Sequence, residues 1–463
     1  MSRLFGTNGI RGVVNEDMTC DLALGISQAW GTYLKKKTDK SRPKVAIGTD
    51  ARLSKDMLKS AVTSGLLSTG CDVVDIGLVP TPTLQYTVRE RRYDSGVVIT
   101  ASHNPPQFNG IKGVASDGTE FSKDVEDAIE EIYFSRAFSL SKWNETGKLL
   151  HWDGAIKLYI KGILSTVDTN LIKKQGFKVV LDCGNGAGSL VAPILLKKLG
   201  CKVIELYCEP DGLFPGHNSE PIPENLSELM RTVKEDRDID FGVAQDGDAD
   251  RAVFIDENGE YIWGDKTLAL AGQYLTRKNK GGLSVTPVTT STCFEDAVKQ
   301  YGGTVLYTKV GSPIVAREMI KNKAIFGGEE NGGLIFPRFQ YCRDSAMSIA
   351  MMLEILSSEK KTLSELIKNL PRYETYKTKM TCPHEKKTMV MQRLVEQMKT
   401  MKEVKKIDET DGVKLYLDDG WVLMRPSGTE PIFRVYSESK DRENAERIAS
   451  RYKMIVESII KNI

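Results

Sequence analysis

Lys44-Val45-Ala46-Ile47-Gly48 opens a passage that continues through a polar loop, a segment from Ser54 to Ser68, and Gly70-Cys71-Asp72-Val73-Val74. The aliphatic runs at its two ends read as buried strands. Leu58, Val62 and Leu66 recur at the three-to-four spacing of a helix that covers one face of a sheet. Parallel neighbours need a long crossover, so strand, helix, Gly-x, strand describes a βαβ unit. The order returns twice. Phe177-Lys178-Val179-Val180-Leu181-Asp182, a glycine-rich loop, a helix over Leu190 to Leu199 and Gly200-Cys201-Lys202-Val203-Ile204 form the second copy. Leu283-Ser284-Val285-Thr286, a helix near Cys293 to Tyr301 and Gly302-Gly303-Thr304-Val305-Leu306 form the third. Three copies at wide spacing predict three related α/β domains and not a solenoid.

Beyond Pro371 the texture changes. Tyr373 to Met380 reads as a strand and Lys387 to Met401 as a helix. Val413 to Leu417 and Gly420 to Arg425 form a hairpin around Asp418-Asp419-Gly420. A strand over Ile432 to Tyr436 and a helix from Arg442 complete a small α+β domain. Boundaries near Ser141 to Gly147, about the strand at Arg251 to Asp256, and near Pro371 give an expected division into 1–148, 149–252, 253–370 and 371–463.

Composition narrows the function. A chain of 463 residues exceeds one core. Lys+Arg 64 against Asp+Glu 62 leaves no basic arm for nucleic acid. No apolar run reaches membrane-spanning length, and Met1-Ser2-Arg3-Leu4-Phe5-Gly6 has no signal-peptide core. The eight cysteines are scattered without a Cys-x-x-Cys, and several, such as Cys71 and Cys201, sit in apolar strand contexts. That usage fits buried thiols in a reducing cytoplasm, not a disulfide frame or a zinc site. The four histidines (His103, His151, His217, His384) stand at no ligand spacing, which argues against histidine-based metal chemistry.

Chemistry concentrates in loops. Val97-Val98-Ile99-Thr100 is a strand that turns abruptly into Ala101-Ser102-His103-Asn104-Pro105-Pro106, with Asn109-Gly110-Ile111-Lys112 following. A hydroxyl just beyond a strand lies where α/β sheets place their chemistry, although alone it reads more simply as a capped turn. Asp246-Gly247-Asp248-Ala249-Asp250-Arg251 alternates three carboxylates with small residues. Such clustering is unfavourable without a cation, and hard oxygens at this density suit Mg²⁺. An EF-hand is excluded by Arg251 where that loop needs glycine, and by strands on both flanks. Phe5-Gly6-Thr7-Asn8-Gly9-Ile10-Arg11-Gly12 surrounds an arginine with glycines, as an anion-approaching loop or a flexible start does.

Asp182-Cys183-Gly184-Asn185-Gly186-Ala187-Gly188-Ser189 imitates a dinucleotide fingerprint but has Ser189 where glycine is wanted, and reads more simply as a tight strand-to-helix turn. Gly327 to Gly333 sets Glu329, Glu330 and Asn331 among glycines, either to grip vicinal hydroxyls or as a polar turn, and Thr308-Lys309-Val310-Gly311 ends a strand with a cation. Arg425-Pro426-Ser427-Gly428-Thr429-Glu430-Pro431-Ile432-Phe433-Arg434 puts arginines on both sides of a turn whose amides form an anion nest.

Taken together, these motifs resemble the α-D-phosphohexomutase family over the whole length and in the family's order: phosphoserine loop, metal loop, sugar loop, phosphate loop. The resemblance implies three α/β domains with mixed sheets and a distinct C-terminal α+β domain around a central cleft. It implies that Ser102 is phosphorylated and, with Asp246, Asp248 and Asp250, binds one Mg²⁺. Lys112 and Arg11 would assist proton transfer and charge, His103 would belong to the catalytic group, and Arg251 would contact the reacting phosphate. Lys309, Gly311, Glu329 and Asn331 would hold the sugar. Arg425, Ser427, Gly428, Thr429 and Arg434 would hold the phosphate that is not reacting.

The implied reaction interconverts hexose 6- and 1-phosphates through a bisphosphate. The opening Gly6 to Gly12 looks most like the phosphoglucosamine mutase branch, and Glu329-Glu330-Asn331 is also similar to dual-substrate phosphomannomutases. Departures at Gly333, Ser312, Phe108 and Ser345 bear on the choice of sugar. A metal-dependent sugar phosphatase would need the aspartates but not Arg425 to Arg434. A non-enzymatic sugar-phosphate binder would not need Ser102 with Lys112. The expected partner is a sugar phosphate, without nucleic acid or membrane, for a cytoplasmic monomer or homodimer.

Overall fold

The computed structural model describes residues 4–6, 8–427 and 431–463. The chain divides into two compact units, one running up to Thr267 and including Asn331–Lys368, the other made of Leu268–Glu330 and Asn369–Ile463.

The first unit holds two sheets. Strands β1 (Ile10–Val13), β2 (Lys44–Thr49), β3 (Asp72–Leu78), β4 (Ser95–Ile99), β5 (Phe108–Ala115) and β6 (Leu149–His151) are ordered β1-β5-β4-β2-β3-β6. β2 lies parallel to β3 and β4, whereas β5 returns antiparallel to β4 with Val98 opposite Lys112 and Ile99 opposite Ile111. Alternation divides the side chains. Val45, Ile47, Val97 and Ile99 pack with Trp30, Leu58, Val62 and Ile129 on one face. Ala46, Val74 and Val98 pack with Leu84, Val88 and Ala155 on the other. Both faces are therefore apolar, as parallel strands between helical layers require.

The second sheet repeats this plan with β7 (Lys178–Asp182), β8 (Lys202–Leu206), β9 (Phe241–Gln245), β10 (Ala252–Ile255) and β11 (Tyr261–Ile262), ordered β11-β10-β9-β7-β8. β7 is parallel to β8 and β9, and β10 returns antiparallel to β9. The helix expected over Leu190 to Leu199 is shorter. A 3₁₀ turn spans Ala187–Leu190 and the α-helix covers Ala192–Lys198. Pro193 explains the late start, since it is accepted in a first helical turn but not in a helix interior.

In the second unit β12 (Gly282–Pro287) is parallel to both β13 (Gly303–Thr308) and β14 (Phe326–Glu329), again the same start. The chain then rejoins the first unit with β15 (Gly333–Ile335). The C-terminal part of the second unit is an antiparallel sheet of β16 (Glu374–Thr381), β17 (Lys406–Asp408), β18 (Val413–Tyr416), β19 (Gly420–Pro426) and β20 (Ile432–Ser439), ordered β16-β20-β19-β18-β17. The helices Lys387–Met398 and Arg442–Lys461 cover it through Val390, Leu394, Ile448 and Tyr452.

The three α/β repeats share one consequence. The serine loop joins β4 to β5, the aspartate loop joins β9 to β10, and Glu330 to Gly332 join β14 to β15. All three occupy the connection that leaves the third strand of its repeat. Among the described residues no helix is long and apolar enough to cross a membrane.

Candidate active site

In the first unit the serine and aspartate loops meet. Ser102 is fully buried, and its Oγ donates to Asp246 Oδ2 at 2.9 Å. Contact begins at the backbone: a Cβ on Gly247 would stand 2.6 Å from the Ser102 carbonyl oxygen, so only glycine lets the loops approach this closely. Both loops contain a non-glycine residue in the left-handed region, Ser102 at φ 51° and Ala249 at φ 55°. Each costs of order 1–3 kcal/mol that the surroundings must supply.

For Ser102 the surroundings are explicit. Its amide donates to Thr100 Oγ1 at 2.9 Å. Arg52, without solvent exposure, donates to the carbonyls of Ser102, Asn104, Pro105 and Phe108 at 2.6 to 2.9 Å. Its Nε pairs with Asp50 Oδ2 at 3.1 Å, and Asp50 accepts from Thr100 Oγ1 at 2.6 Å. Arg11 Nη1 adds bonds to the Ala101 carbonyl and to Asn104 Oδ1, at 3.2 and 2.8 Å. Sequence reasoning missed Arg52 and Asp50; their only trace was a polar loop after β2. Arg52→Ala is expected to destabilise the protein by about 3–5 kcal/mol, since it strands a buried aspartate and four carbonyls. A urea-unfolding comparison with wild type checks this.

The carboxylates of Asp246, Asp248 and Asp250 are buried and offer ligand atoms all within 4.8 Å of one another. Asp248 Oδ2 accepts from Lys112 Nζ at 2.7 Å and from Thr81 Oγ1 at 2.6 Å. Asp250 Oδ2 pairs with Arg343 and lies 3.5 Å from Lys112 Nζ. Asp246 Oδ1 accepts the amides of Asp250 and Arg251, each at 3.1 Å. Asp248 Oδ1 and Asp250 Oδ1 are buried with no hydrogen-bond donor among the described residues. Burial, then the charges of Asp250 and Asp248, pushes Asp246 up to about 7. Burial would also raise Asp248, but Lys112 and Thr81 hold it below the usual range. Three clustered oxygen donors, two of them with an orphaned atom, fit a hard divalent cation.

His103 accepts at Nδ1 from Arg251, and the same nitrogen lies 3.4 Å from Ser102 Oγ. The Arg251 charge, with burial, pulls the imidazole down to about 2, so the ring is neutral. Arg251 Nε is 3.3 Å from Asp246 Oδ2 and 3.7 Å from Asp250 Oδ1. Ser345, noted only as a departure in the sequence, accepts from Gln245 Nε2 and donates to the Ala249 carbonyl, both at 2.6 Å. It thereby ties the end of β9 to the middle of the aspartate loop. Asn331 Oδ1 accepts from the Gly333 amide at 3.1 Å, and the Gly332 carbonyl accepts from the Ala252 amide at 3.1 Å.

Behind the aspartate loop, His217 Nε2 lies 3.0 and 3.1 Å from the two Asp182 oxygens, and its Nδ1 is 2.7 Å from the Asn218 carbonyl. Burial opposes the charged ring, but Asp182 and Asn218 outweigh it and raise the pKa above 6.5. A raised folded-state value means stabilisation present below the unfolded pKa and lost as pH rises through the folded one. His217→Gln is therefore expected to lose more stability at pH 5.5 than at pH 9, read as the difference in urea midpoints.

In the second unit Glu329 Oε1 accepts from the Gly311 amide at 3.2 Å, and Gly311 stands at φ 135°, open only to glycine. Lys309 lines a cavity of about 530 Å³ with Gln392, Lys399, Asp411 and Gly412. Arg425 and Arg434 face each other across β19 and β20. Like charges in that position repel unless an anion joins them. Arg425 pairs with Asp411 at 3.0 Å, while its buried Nε meets no acceptor among the described residues. The Ser427 carbonyl accepts from Lys387 Nζ at 2.6 Å. Gly428 and Thr429 lie outside the described residues.

Family models decide the class. Residues 2–139, 157–259 and 263–373 match the phosphoglucomutase/phosphomannomutase alpha/beta/alpha domains I, II and III, and 389–453 match the C-terminal domain. The chain belongs to the phosphoglucomutase/phosphomannomutase family. It is 49% identical over 463 residues to a phosphoglucomutase/phosphomannomutase of Thermococcus kodakarensis, covering 100% of both chains. It is 41% identical over 460 residues to a phosphoglucosamine/phosphogalactosamine mutase of Sulfurisphaera tokodaii, covering 99% of this chain and 100% of the relative. A crystal structure of a family protein from Burkholderia thailandensis superposes with a TM-score of 0.89 at 28% identity, covering 98% of this chain and 97% of that one.

Proposed function

We propose that this family member interconverts hexosamine 6-phosphate and 1-phosphate, with glucosamine as the sugar. The carrying observation is the hydrogen bond from Ser102 Oγ to Asp246 inside a cluster of three carboxylates and the cations Lys112, Arg251 and Arg343. A hydroxyl so placed is suited to hold a phosphoryl group whose charge is shared among those cations. Mg²⁺ on Asp246, Asp248 and Asp250 supplies charge neutralisation and polarisation of phosphoryl oxygens when bound. Lys112 Nζ, 2.7 Å from Asp248 Oδ2, assists proton transfer at the sugar hydroxyl and offsets charge there. Arg251 steadies the reacting phosphate, and neutral His103 orients Arg251. Arg52 and Arg11 fix the serine backbone, so that transfer depends on positioning.

In the second unit Lys309, the Gly311 amide and Glu329 bind the sugar. Arg425, Ser427, Gly428, Thr429 and Arg434 hold the distal phosphate. This double requirement supports a mutase over a phosphatase. The opening Gly6 to Gly12 and the Sulfurisphaera tokodaii relative support an amino sugar. The Thermococcus kodakarensis relative supports a second reading, a dual glucose and mannose phosphate mutase. Measuring kcat/KM for glucosamine, glucose and mannose 6-phosphates separates them. Glucosamine is expected to lead by at least about tenfold, and parity or a lead for either neutral sugar overturns the amino-sugar reading.

A further inference from the structure

Cys183 and Cys208 stand apart from the machinery above, in the same unit. Cys183 follows β7 and Cys208 lies just beyond β8. The parallel register, Leu181 opposite Glu205 and Asp182 opposite Leu206, continues past both strand ends: the Cys183 amide bonds the Leu206 carbonyl at 3.2 Å and the Asn185 amide bonds the Tyr207 carbonyl at 2.8 Å. That register sets Tyr207 opposite Cys183, and Tyr207, at φ 50°, leaves the strand conformation just before Cys208. Both thiols are free, and their sulfurs are 3.2 Å apart. Cys183 is buried and Cys208 only partly so, which makes Cys208 the member of the pair nearer to solvent.

The turn that starts at Cys183 also supports the aspartate loop. Cys183 Sγ lies 3.5 Å from Gln245 Oε1, the last residue of β9, and the Ala187 amide donates to the Gly247 carbonyl at 2.9 Å. Any shift of the Cys183 to Ala187 turn therefore moves the support of Asp246 to Arg251.

We propose that Cys183 and Cys208 form a dithiol oxidation site that closes to a disulfide and slows the enzyme by displacing that support. The oxidant is a low-molecular-weight disulfide such as oxidised glutathione. Cys208 Sγ, as thiolate, attacks one sulfur of the oxidant and releases one thiol. Cys183 Sγ, on losing its proton, then attacks Cys208 Sγ and releases the second thiol. Two protein thiols are oxidised, the small disulfide is reduced to two thiols, and the two protons end on them. Burial raises the Cys183 thiol well above its usual range, which makes the second step the slow one.

The test treats the full-length protein with oxidised glutathione, then counts thiols, maps peptides by mass and measures turnover, with Cys208→Ser in parallel. The expected result is loss of two thiols, a Cys183–Cys208 linked peptide, and turnover lowered at least about threefold and restored by dithiothreitol, with Cys208→Ser unaffected. An unchanged thiol count, a linkage through other cysteines, a persistent Cys208 mixed disulfide, unchanged turnover in the linked protein, or equal inhibition of Cys208→Ser overturns it. Only the turnover arm rests on the mutase reading. The mass and thiol arms stand whatever the enzyme acts on.

Discussion

Ser102→Ala is expected to lower turnover by about 10³-fold or more while the fold survives, as loss of an acting nucleophile does. The fold should survive because the side chain makes a single donated bond, to Asp246 Oδ2. The contacts that hold the turn are made by its backbone: the amide to Thr100 Oγ1 and the carbonyl to Arg52. Alanine tolerates φ 51° no worse than serine does, so the strain is unchanged. Three measurements decide it. Turnover should collapse, the melting temperature should stay within a few degrees, and intact mass should lack the phosphoryl group that wild type carries after incubation with a sugar bisphosphate. Wild-type rates in the variant would sink the phosphoserine reading.

Asp248→Asn is expected to abolish divalent-cation binding and, with it, cation-dependent turnover. The loss should exceed the roughly 10–100-fold that changes behind a metal's direct ligands cost. Asparagine keeps an oxygen for Thr81 Oγ1 but removes the charge that Lys112 meets at 2.7 Å. Asp248→Ala is the harsher variant. It leaves Lys112, 1% exposed, with Asp250 alone at 3.5 Å, and is expected to cost a further 3–5 kcal/mol or so of stability. Calorimetric titration with Mg²⁺ and with Mn²⁺ reads the site without reference to activity. Undiminished binding by Asp248→Asn, or undiminished wild-type turnover in chelator, would argue against the aspartate loop as a metal site.

The candidate site was legible in sequence where its residues are contiguous. Asp246 to Arg251 is contiguous, and alternating carboxylates announce a cation whatever surrounds them. Ser102 became readable only beside that loop, because a hydroxyl in a proline-rich turn has a simpler explanation. Arg52, Asp50, Thr81 and Arg343 stayed hidden for a physical reason. Asp50 meets Thr100 across 50 positions, Arg52 meets Asn104 across 52, Arg343 meets Asp250 across 93 and Thr81 meets Asp248 across 167, and only packing creates those contacts. The repeated strand-helix-strand order was readable from periodicity. The antiparallel return of β5 and β10 was not, since period-two alternation is the same for either direction.

The pairing of Val98 with Lys112 bears on how the chain tolerates changes of length. The stretch between β4 and β5 carries the serine, but the lysine reaches Asp248 only because the ladder holds it on one face of the sheet. One residue inserted or deleted within β5 ahead of position 112 would turn that side chain to the opposite face, among Trp30 and Leu58, and every later residue of the strand with it. Drift by insertion is thus closed to β5. It remains open in the surface segment between the helix Lys123–Ser135 and β6, where the exposed Trp143 lies and no pairing register has to be kept.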